Sequence, residues 1–243
     1  MDSKDKLSFV AKESDLSSFE RQAGDYVILF KGNSITSHGI RENLWDHVSG
    51  MAASSASMDY VHRFAEMVRG FLRGRRIGIA IGRGGRPALS LQGIDAERAI
   101  RPDLIVIQNG EHSAFRPEVE NFGSAHETLV TALQHAFPSA LILSVGIWNP
   151  RCREEFASCC APEYDECAKA IEKMQRRIAE KTGIGFVPVS PYENDPANTG
   201  YGSSPGVRWH PNDNGMKCYA EALFRVFLRE FAEKRAGDCK FRG

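Results

Sequence analysis

The sequence lacks long hydrophobic runs, an excess of charge of either sign and a signal for export. No apolar stretch approaches the roughly 18 to 20 residues of a transmembrane helix. Lysine plus arginine and aspartate plus glutamate both number 31, which argues against a protein that holds nucleic acid or an anionic membrane through a strong overall positive field. The first residues lack the basic-then-apolar order of a secretory signal. We therefore expect a cytoplasmic, soluble protein that binds neither nucleic acid nor membrane.

The sequence also lacks the C-x2-C pairs that are typical of zinc sites. Of its six cysteines, four are grouped with the spacing C-x6-CC-x6-C, at Cys152, Cys159, Cys160 and Cys167. The other two, Cys218 and Cys239, stand alone. Structural disulfides are disfavoured where no export signal is present. This pattern favours free thiols, and we expect neither a metal site nor a cofactor.

Short strand-like apolar runs alternate with longer segments of helical period. Continuous aliphatic runs suit strands that are covered on both faces, and five such runs predict strands at 25–31, 76–81, 103–108, 140–145 and 185–189. Strands separated by helices imply a parallel sheet with right-handed crossovers. We predict one domain over 1–243, an α/β protein with a three-layer α/β/α sandwich, a five-stranded parallel sheet and flavodoxin-like topology. Residues 1–22 are predicted to form a polar N-terminal extension.

Small polar residues and histidines gather after the predicted strands, where ligands bind in open parallel sheets. Ser34 follows the first strand in the run Gly32-Asn33-Ser34. A tight turn at this point would expose the hydroxyl and direct backbone N–H groups at an incoming oxygen. The same residues also suit a plain turn or a helix cap. Ser34 by itself therefore indicates either a nucleophile or a turn.

His210 lies just ahead of the last predicted helix and is followed by Pro211. Proline is well suited to an early helical position, so the backbone beside the imidazole would be fixed. A fixed imidazole suits a base that accepts a proton from a serine. A histidine that is merely packed or exposed is the alternative. If Ser34 and His210 meet in space, they form a nucleophile and its base.

Together these residues resemble the blocks of the SGNH (GDSL-like) hydrolase superfamily, and the resemblance covers nearly the whole chain after residue 24. The family's Gly-Asp-Ser block appears as GNSIT at 32–36, and its second-block glycine corresponds to Gly82. Its Gly-x-Asn-Asp block aligns with GEHS at 110–113, and its Asp-x-x-His-Pro block with VRWHP at 207–211. The segment 50–62 is similar to a bacterial, carbohydrate-esterase-like subgroup with a long insert after the nucleophile.

The resemblance implies a serine esterase that works through an acyl-enzyme, with Ser34 as nucleophile and His210 as base. It places the oxyanion hole on the backbone N–H groups of Ser34 and Gly82 and on His112, which stands where the family has an asparagine. Asn109 is a second candidate for that donor. Three residues that lie in or beside these blocks are predicted to contact the substrate: Asn33, Arg83 and Trp209.

Val207 occupies the place of the family's triad aspartate, and a valine accepts no hydrogen bond from an imidazole. A Ser–His dyad that is oriented by a backbone carbonyl is one solution. Alternatively, a carboxylate comes from Glu193, Asp195 or Asp213, and the arrangement is a triad. The sequence leaves these alternatives open.

The predicted activity is hydrolysis of a small O-acyl ester, an acetyl ester on a carbohydrate, so that the partner is a small-molecule or carbohydrate ester. Val207 and His112 motivate an alternative, a catalytically impaired carbohydrate-binding or scaffold protein with the same fold. Nucleotide binding is a third reading, but GRGGR at 82–86 lacks the full G-x-G-x-x-G pattern. Arg83 and Arg86 in that run would suit an acidic substrate.

Overall fold

The sheet consists of six parallel strands in the order β1-β3-β2-β4-β5-β6. The computed structural model describes residues 9–12, 21–158 and 163–240. The strands are β1 (Phe9–Lys12), β2 (Tyr26–Gly32), β3 (Ile77–Ile81), β4 (Leu104–Gln108), β5 (Leu141–Val145) and β6 (Gly185–Val187). From β2 the chain passes to one side to form β3, and then to the other side to form β4. The switch point of the topology, where ligands bind in such sheets, therefore lies at the end of β2.

All five predicted strands are confirmed, and their parallel arrangement is confirmed with them. The structure adds the edge strand β1, which pairs with β3 from Phe9 opposite Gly78 to Lys12 opposite Ile81. This strand falls within the predicted N-terminal extension. A four-residue edge strand has only one neighbour in the sheet and does not require the continuous apolar run that marks a buried strand. For that reason the sequence pattern did not show it.

Helices cover both faces of the sheet. They are α1 (Tyr60–Phe71), α2 (Pro87–Gln92), α3 (Ile94–Glu97), α4 (Glu118–Ala136), α5 (Tyr164–Thr182), α6 (Pro205–Arg208) and α7 (Asp213–Lys240). Because side chains alternate along a strand, Phe30 of β2 packs with Phe64 of α1 and Phe227 of α7 on one face. Leu29 packs with Leu133 of α4 on the other. These contacts produce the three layers. Within the described residues, no helix is both long and apolar enough to cross a membrane.

Three cysteines are free thiols in the structure: Cys152, Cys167 and Cys218. Cys159, Cys160 and the side chain of Cys239 lie outside the described part of the chain. Among the residues that the structure describes, no group of three or more histidine, cysteine or acidic side chains is arranged to hold a metal ion.

Candidate active site

Ser34 lies in a tight turn directly after β2. The backbone N–H groups of Thr36 and Ser37 both donate to the carbonyl of Asn33, each at 3.0 Å. The Asn33 side-chain oxygen accepts from the N–H of Ile35 at 2.9 Å. The turn therefore closes around Ser34 from both sides and leaves its side chain half-buried. The Ser34 hydroxyl oxygen lies 2.8 Å from Nε2 of His210, so the two predicted residues do meet.

The short helix α6 supplies the second partner of His210. The backbone N–H of His210 donates to the carbonyl of Val207 at 3.0 Å and not to the carbonyl of Gly206. The Gly206 carbonyl oxygen instead lies 2.8 Å from Nδ1 of His210. A carbonyl only accepts, so Nδ1 carries the proton and Nε2 is left as the acceptor for the Ser34 hydroxyl. This tautomer is the one that a general base requires.

Burial keeps His210 neutral. Removal of the ring from water lowers the pKa of His210 to about 4, and the nearby rings of His38 and His112 lower it further, while the bond to Gly206 opposes the shift. The pKa of His112 is also lowered, by partial burial and by the neighbouring Arg86. At neutral pH the imidazole of His210 is therefore unprotonated and free to accept a proton.

The three predicted triad carboxylates do not reach His210, and their prediction as triad acids is wrong. Glu193, Asp195 and Asp213 each accept hydrogen bonds from backbone N–H groups elsewhere in the fold. The partner of Nδ1 of His210 is the Gly206 carbonyl. The structure therefore has the geometry of the first alternative left open above, in which a backbone carbonyl and not a carboxylate is the partner of Nδ1.

Val207 points into an apolar cluster instead of toward the imidazole. Its side chain is 1% exposed and packs with Trp45, Met51 and Ala52. A Cβ added at Gly202 would lie 2.3 Å from its Cγ1. The valine therefore joins the long loop after the nucleophile to the long loop before His210, and holds α6 against both.

The prediction of Gly82 as an oxyanion donor is wrong. Its backbone N–H donates to the carbonyl of Phe30 at 2.9 Å and so extends the sheet pairing. A Cβ at this position would lie 2.3 Å from the carboxylate of Glu97. Gly82 is thus required for packing between strand and helix, and its N–H group is already used.

Gly85, three residues further on, is the glycine that faces the nucleophile turn. Its φ of +96° is one that glycine adopts easily. A Cβ placed on it would lie 3.9 Å from Cδ2 of His112 and 3.9 Å from Cβ of Asn33. Asn109 pairs with Gly85 in an isolated bridge, but its side chain is fully buried. His112 is exposed and Asn109 is not, so the structure brings His112 to the site and leaves Asn109 beneath it.

A cavity of about 230 Å³ opens beside the dyad. Its lining consists of Asn33, Ser34, Glu111, His112, Phe115, Tyr164, Gly206, Trp209 and His210. The rings of Phe115 and Tyr164 lie 5.6 Å apart, and those of Tyr164 and Trp209 lie 6.0 Å apart, both edge to face. Asn33 and Trp209 thus line this cavity, and their contact with a substrate stays a prediction. Arg83 is exposed and does not line this cavity.

A second concavity, of about 690 Å³, lies between the loop segments 40–46 and 201–203. It carries two exposed apolar side chains, Ile40 at 68% and Tyr201 at 49%. Ile40 lies two residues after His38 in the chain. Ser203 lies three residues before Gly206. The two segments that form this groove are therefore neighbours in the chain of His38 and of Gly206.

Sequence reasoning missed Glu111. This buried carboxylate accepts from the Asn33 side-chain amide at 2.7 Å, directly beneath the nucleophile turn. Glu111 falls on the unspecified position of the family block, so the block gave no reason to single it out. The asparagine before Ser34 was the available signal, because its amide donor requires a buried acceptor nearby.

No protein-family model matches the sequence, and no curated protein matches it. Solved structures of similar fold include TesA, at 16% identity and a TM-score of 0.59, covering 84% of this chain and 99% of that one. A putative GDSL-like lipase from Parabacteroides merdae is 21% identical, with a TM-score of 0.57, covering 83% and 95% of the two chains. Axe2, an acetylxylan esterase from Geobacillus stearothermophilus, is 21% identical, with a TM-score of 0.55, covering 85% and 94%. The chain therefore has the three-layer fold of the SGNH (GDSL-like) hydrolases.

Proposed function

We propose that the protein is a serine esterase that hydrolyses carboxylic esters through the dyad Ser34–His210. One observation carries this proposal above the others. The Ser34 oxygen lies 2.8 Å from Nε2 of His210, while Nδ1 of the same ring is bonded to the Gly206 carbonyl. Nucleophile, base and orienting group thus form one hydrogen-bonded series, which is the pattern of an activated serine.

In the proposed reaction the Ser34 oxygen attacks the ester carbonyl, and Nε2 of His210 takes the hydroxyl proton. The N–H groups of Ser34, Gly85 and His112 stabilise the negative charge on the carbonyl oxygen. The tetrahedral intermediate then collapses to an acyl-enzyme, and His210 returns the proton to the departing alcohol. A water molecule that gives its proton to His210 attacks the acyl carbon, the bond to the Ser34 oxygen breaks, and His210 returns the proton to that oxygen as the acid is released.

The size and walls of the cavity support a short acyl group. About 230 Å³ must hold the acyl chain and the reacting carbonyl, and the aromatic rings of Phe115, Tyr164 and Trp209 form part of the cavity wall. An acetyl group fits these limits. Apolar walls suit its methyl group, because burial of a methyl-sized group away from water is favourable by about 0.8 kcal/mol.

The groove between segments 40–46 and 201–203 supports a carbohydrate as the alcohol part of the ester. The leaving oxygen must lie within reach of His210, which protonates it, and segment 201–203 of this groove lies shortly before Gly206 and His210 in the chain. Tyr201 offers an exposed ring on which the apolar face of a sugar can pack. Axe2, which shares the fold, is an acetylxylan esterase. We therefore propose an acetylated carbohydrate as the substrate.

The experiment is hydrolysis of p-nitrophenyl acetate together with labelling by a fluorophosphonate probe and peptide mapping. The wild-type protein is expected to turn over the ester and to carry the label on Ser34. Ser34→Ala should lose at least about 10³-fold in kcat, whereas Ser37→Ala, a nearby serine outside the dyad, should retain activity. Equal turnover by wild type and Ser34→Ala would refute the esterase. Saturable sugar binding without labelling would instead support the catalytically impaired binding protein.

A further inference from the structure

We propose that Glu111 is a positioning residue that sets the distance between the Ser34 hydroxyl and the His210 ring. The inference rests on the proposed esterase function. It assigns to Glu111 no contact with the reacting atoms; the carboxylate acts through Asn33 on one side and through Trp148 on the other.

On the nucleophile side, Glu111 completes a closed set of hydrogen bonds. Its Oε2 accepts from the Asn33 side-chain amide at 2.7 Å, and its Oε1 accepts from the Gln108 amide at 3.0 Å. The Gln108 oxygen in turn accepts from the backbone N–H of Asn33 at 3.1 Å. Asn33 is therefore held by its backbone and its side chain together, and the residue that follows it is Ser34.

On the base side, the same carboxylate holds the loop after β5. Oε1 of Glu111 accepts from the backbone N–H of Trp148 at 3.0 Å. The indole N–H of Trp148 donates to the carbonyl of Trp209 at 2.9 Å, and Trp209 precedes His210. One buried carboxylate thus connects the turn that carries the nucleophile with the segment that carries the base.

The two oxygens of Glu111 have only donors around them, which explains why a carboxylate stands here. Asn33 uses both ends of its side chain, since its oxygen accepts from the N–H of Ile35 while its amide donates to Glu111. The family pattern has aspartate where this chain has Asn33. A swap of donor and acceptor between positions 33 and 111 would therefore preserve the number of hydrogen bonds, and this gives a sharp test.

Glu111→Gln disrupts the set of hydrogen bonds around Asn33. Its amide would face the Asn33 amide, donor against donor, and rotation of Asn33 to relieve this would cost the bond to Ile35. Asn33→Asp also breaks it, because two carboxylate oxygens would then face each other. In the double variant, one oxygen of the new aspartate accepts from Ile35 and the other accepts from the new glutamine amide. Every bond is restored with donor and acceptor exchanged.

The experiment compares wild type, the two single variants and the double variant in hydrolysis of p-nitrophenyl acetate and in the rate of fluorophosphonate labelling. Each single variant should lose about 10- to 100-fold in kcat with a smaller change in KM, since a misplacement of about 1 Å costs on this order. The kcat of the double variant should be at least tenfold higher than the kcat of the less active single variant. Glu180→Gln, the same substitution at an exposed position of α5, serves as the control and should stay within twofold of wild type.

Thermal unfolding of each variant separates loss of structure from loss of positioning. A folded Glu111→Gln protein with kcat within twofold of wild type would overturn the inference and leave the esterase intact. If Glu111→Gln alone fails to fold, the kcat of Asn33→Asp is compared with the kcat of the double variant. A double variant with a kcat no higher than that of Asn33→Asp would overturn the inference. A wild-type protein that neither turns over the ester nor takes the label would overturn both proposals.

Discussion

The role of a residue in this site depends more on its hydrogen-bond partners than on its residue type. His210 acts as an acceptor toward Ser34 because a backbone carbonyl holds the proton on its other nitrogen. In the proposed reaction, a carbonyl with only a partial charge would stabilise the imidazolium less than an aspartate would. The arrangement keeps the correct tautomer while giving up part of the electrostatic assistance of a triad.

The first prediction concerns pH. Because burial holds the pKa of His210 at about 4, the base is unprotonated at neutral pH, and kcat/KM for p-nitrophenyl acetate should be level between about pH 6 and 8. As the pH falls through that pKa, the ring gains a proton and no longer accepts one from Ser34. Activity should then drop about tenfold for each further pH unit. A fall that begins near pH 6.5 while the protein stays folded would contradict this.

The second prediction concerns the carboxylates that do not contact His210. Glu193→Gln, Asp195→Asn and Asp213→Asn should each keep kcat within about threefold of wild type, whereas loss of a true triad acid costs about 10⁴-fold. Burial raises the pKa of Glu193 to about 8, so its replacement by a neutral amide removes little charge at neutral pH. Steady-state kinetics on p-nitrophenyl acetate are the measurement. A loss above 100-fold in any of the three would show a carboxylate in the mechanism.

At the scale of elements, the four-residue helix α6 matters most to the site. Its Ser204 side chain accepts from the N–H of Val207 at 3.3 Å and caps the first turn. Val207 packs against Trp45 from the loop after the nucleophile. Such a short helix has little stability of its own, so the position of the Gly206 carbonyl depends on these tertiary contacts.

The third prediction tests whether an aspartate at position 207 would restore a triad. We expect that Val207→Asp will not raise kcat and will lower the free energy of unfolding by about 2 to 5 kcal/mol, because the new carboxylate would be buried in an apolar cluster. Gly206→Ala is the control from the same helix: an added Cβ there meets nothing within 4 Å, and the carbonyl remains. Urea denaturation and kinetics are measured on both. A Val207→Asp protein that is stable and faster than wild type would refute this.

At the scale of the whole molecule, a buried ion pair lies between the sheet and a helical layer. Lys31 of β2 and Glu97 of α3 form a salt bridge, and both side chains have 0% exposure. Two glycines make room for it, since a Cβ at Gly82 or Gly93 would lie 2.3 Å or 2.7 Å from the Glu97 carboxylate. Gly82 and Gly93 therefore leave the space that the buried ion pair occupies.

The fourth prediction concerns this pair. Lys31→Met removes the buried ammonium group that is paired with the Glu97 carboxylate and should cost about 3 to 5 kcal/mol in the free energy of unfolding. The double variant Lys31→Met with Glu97→Gln should recover at least half of that loss, because neither position then carries a charge in the interior. Urea denaturation of wild type, both single variants and the double variant gives the coupling free energy. Strictly additive effects of the two substitutions would contradict the prediction.

The sequence by itself determined the layered α/β fold and the five buried strands, and it singled out Ser34 and His210, which meet in the structure. Buried strands impose continuous apolar runs, and the residues after them collect at one edge of a parallel sheet. These signals are local in the chain and could therefore be recognised without coordinates.

Only the tertiary structure decided which other groups contact or surround Ser34 and His210. The Gly206 carbonyl, the use of Gly82 in sheet pairing, the approach of Gly85 and the contacts of Glu111 all depend on distances between segments far apart in the chain. A backbone carbonyl leaves no trace in residue type, since every residue has one. For the same reason, the valine at position 207 showed only that the family's aspartate was absent. In the fold, the main-chain carbonyl of the neighbouring Gly206 bonds to the imidazole instead.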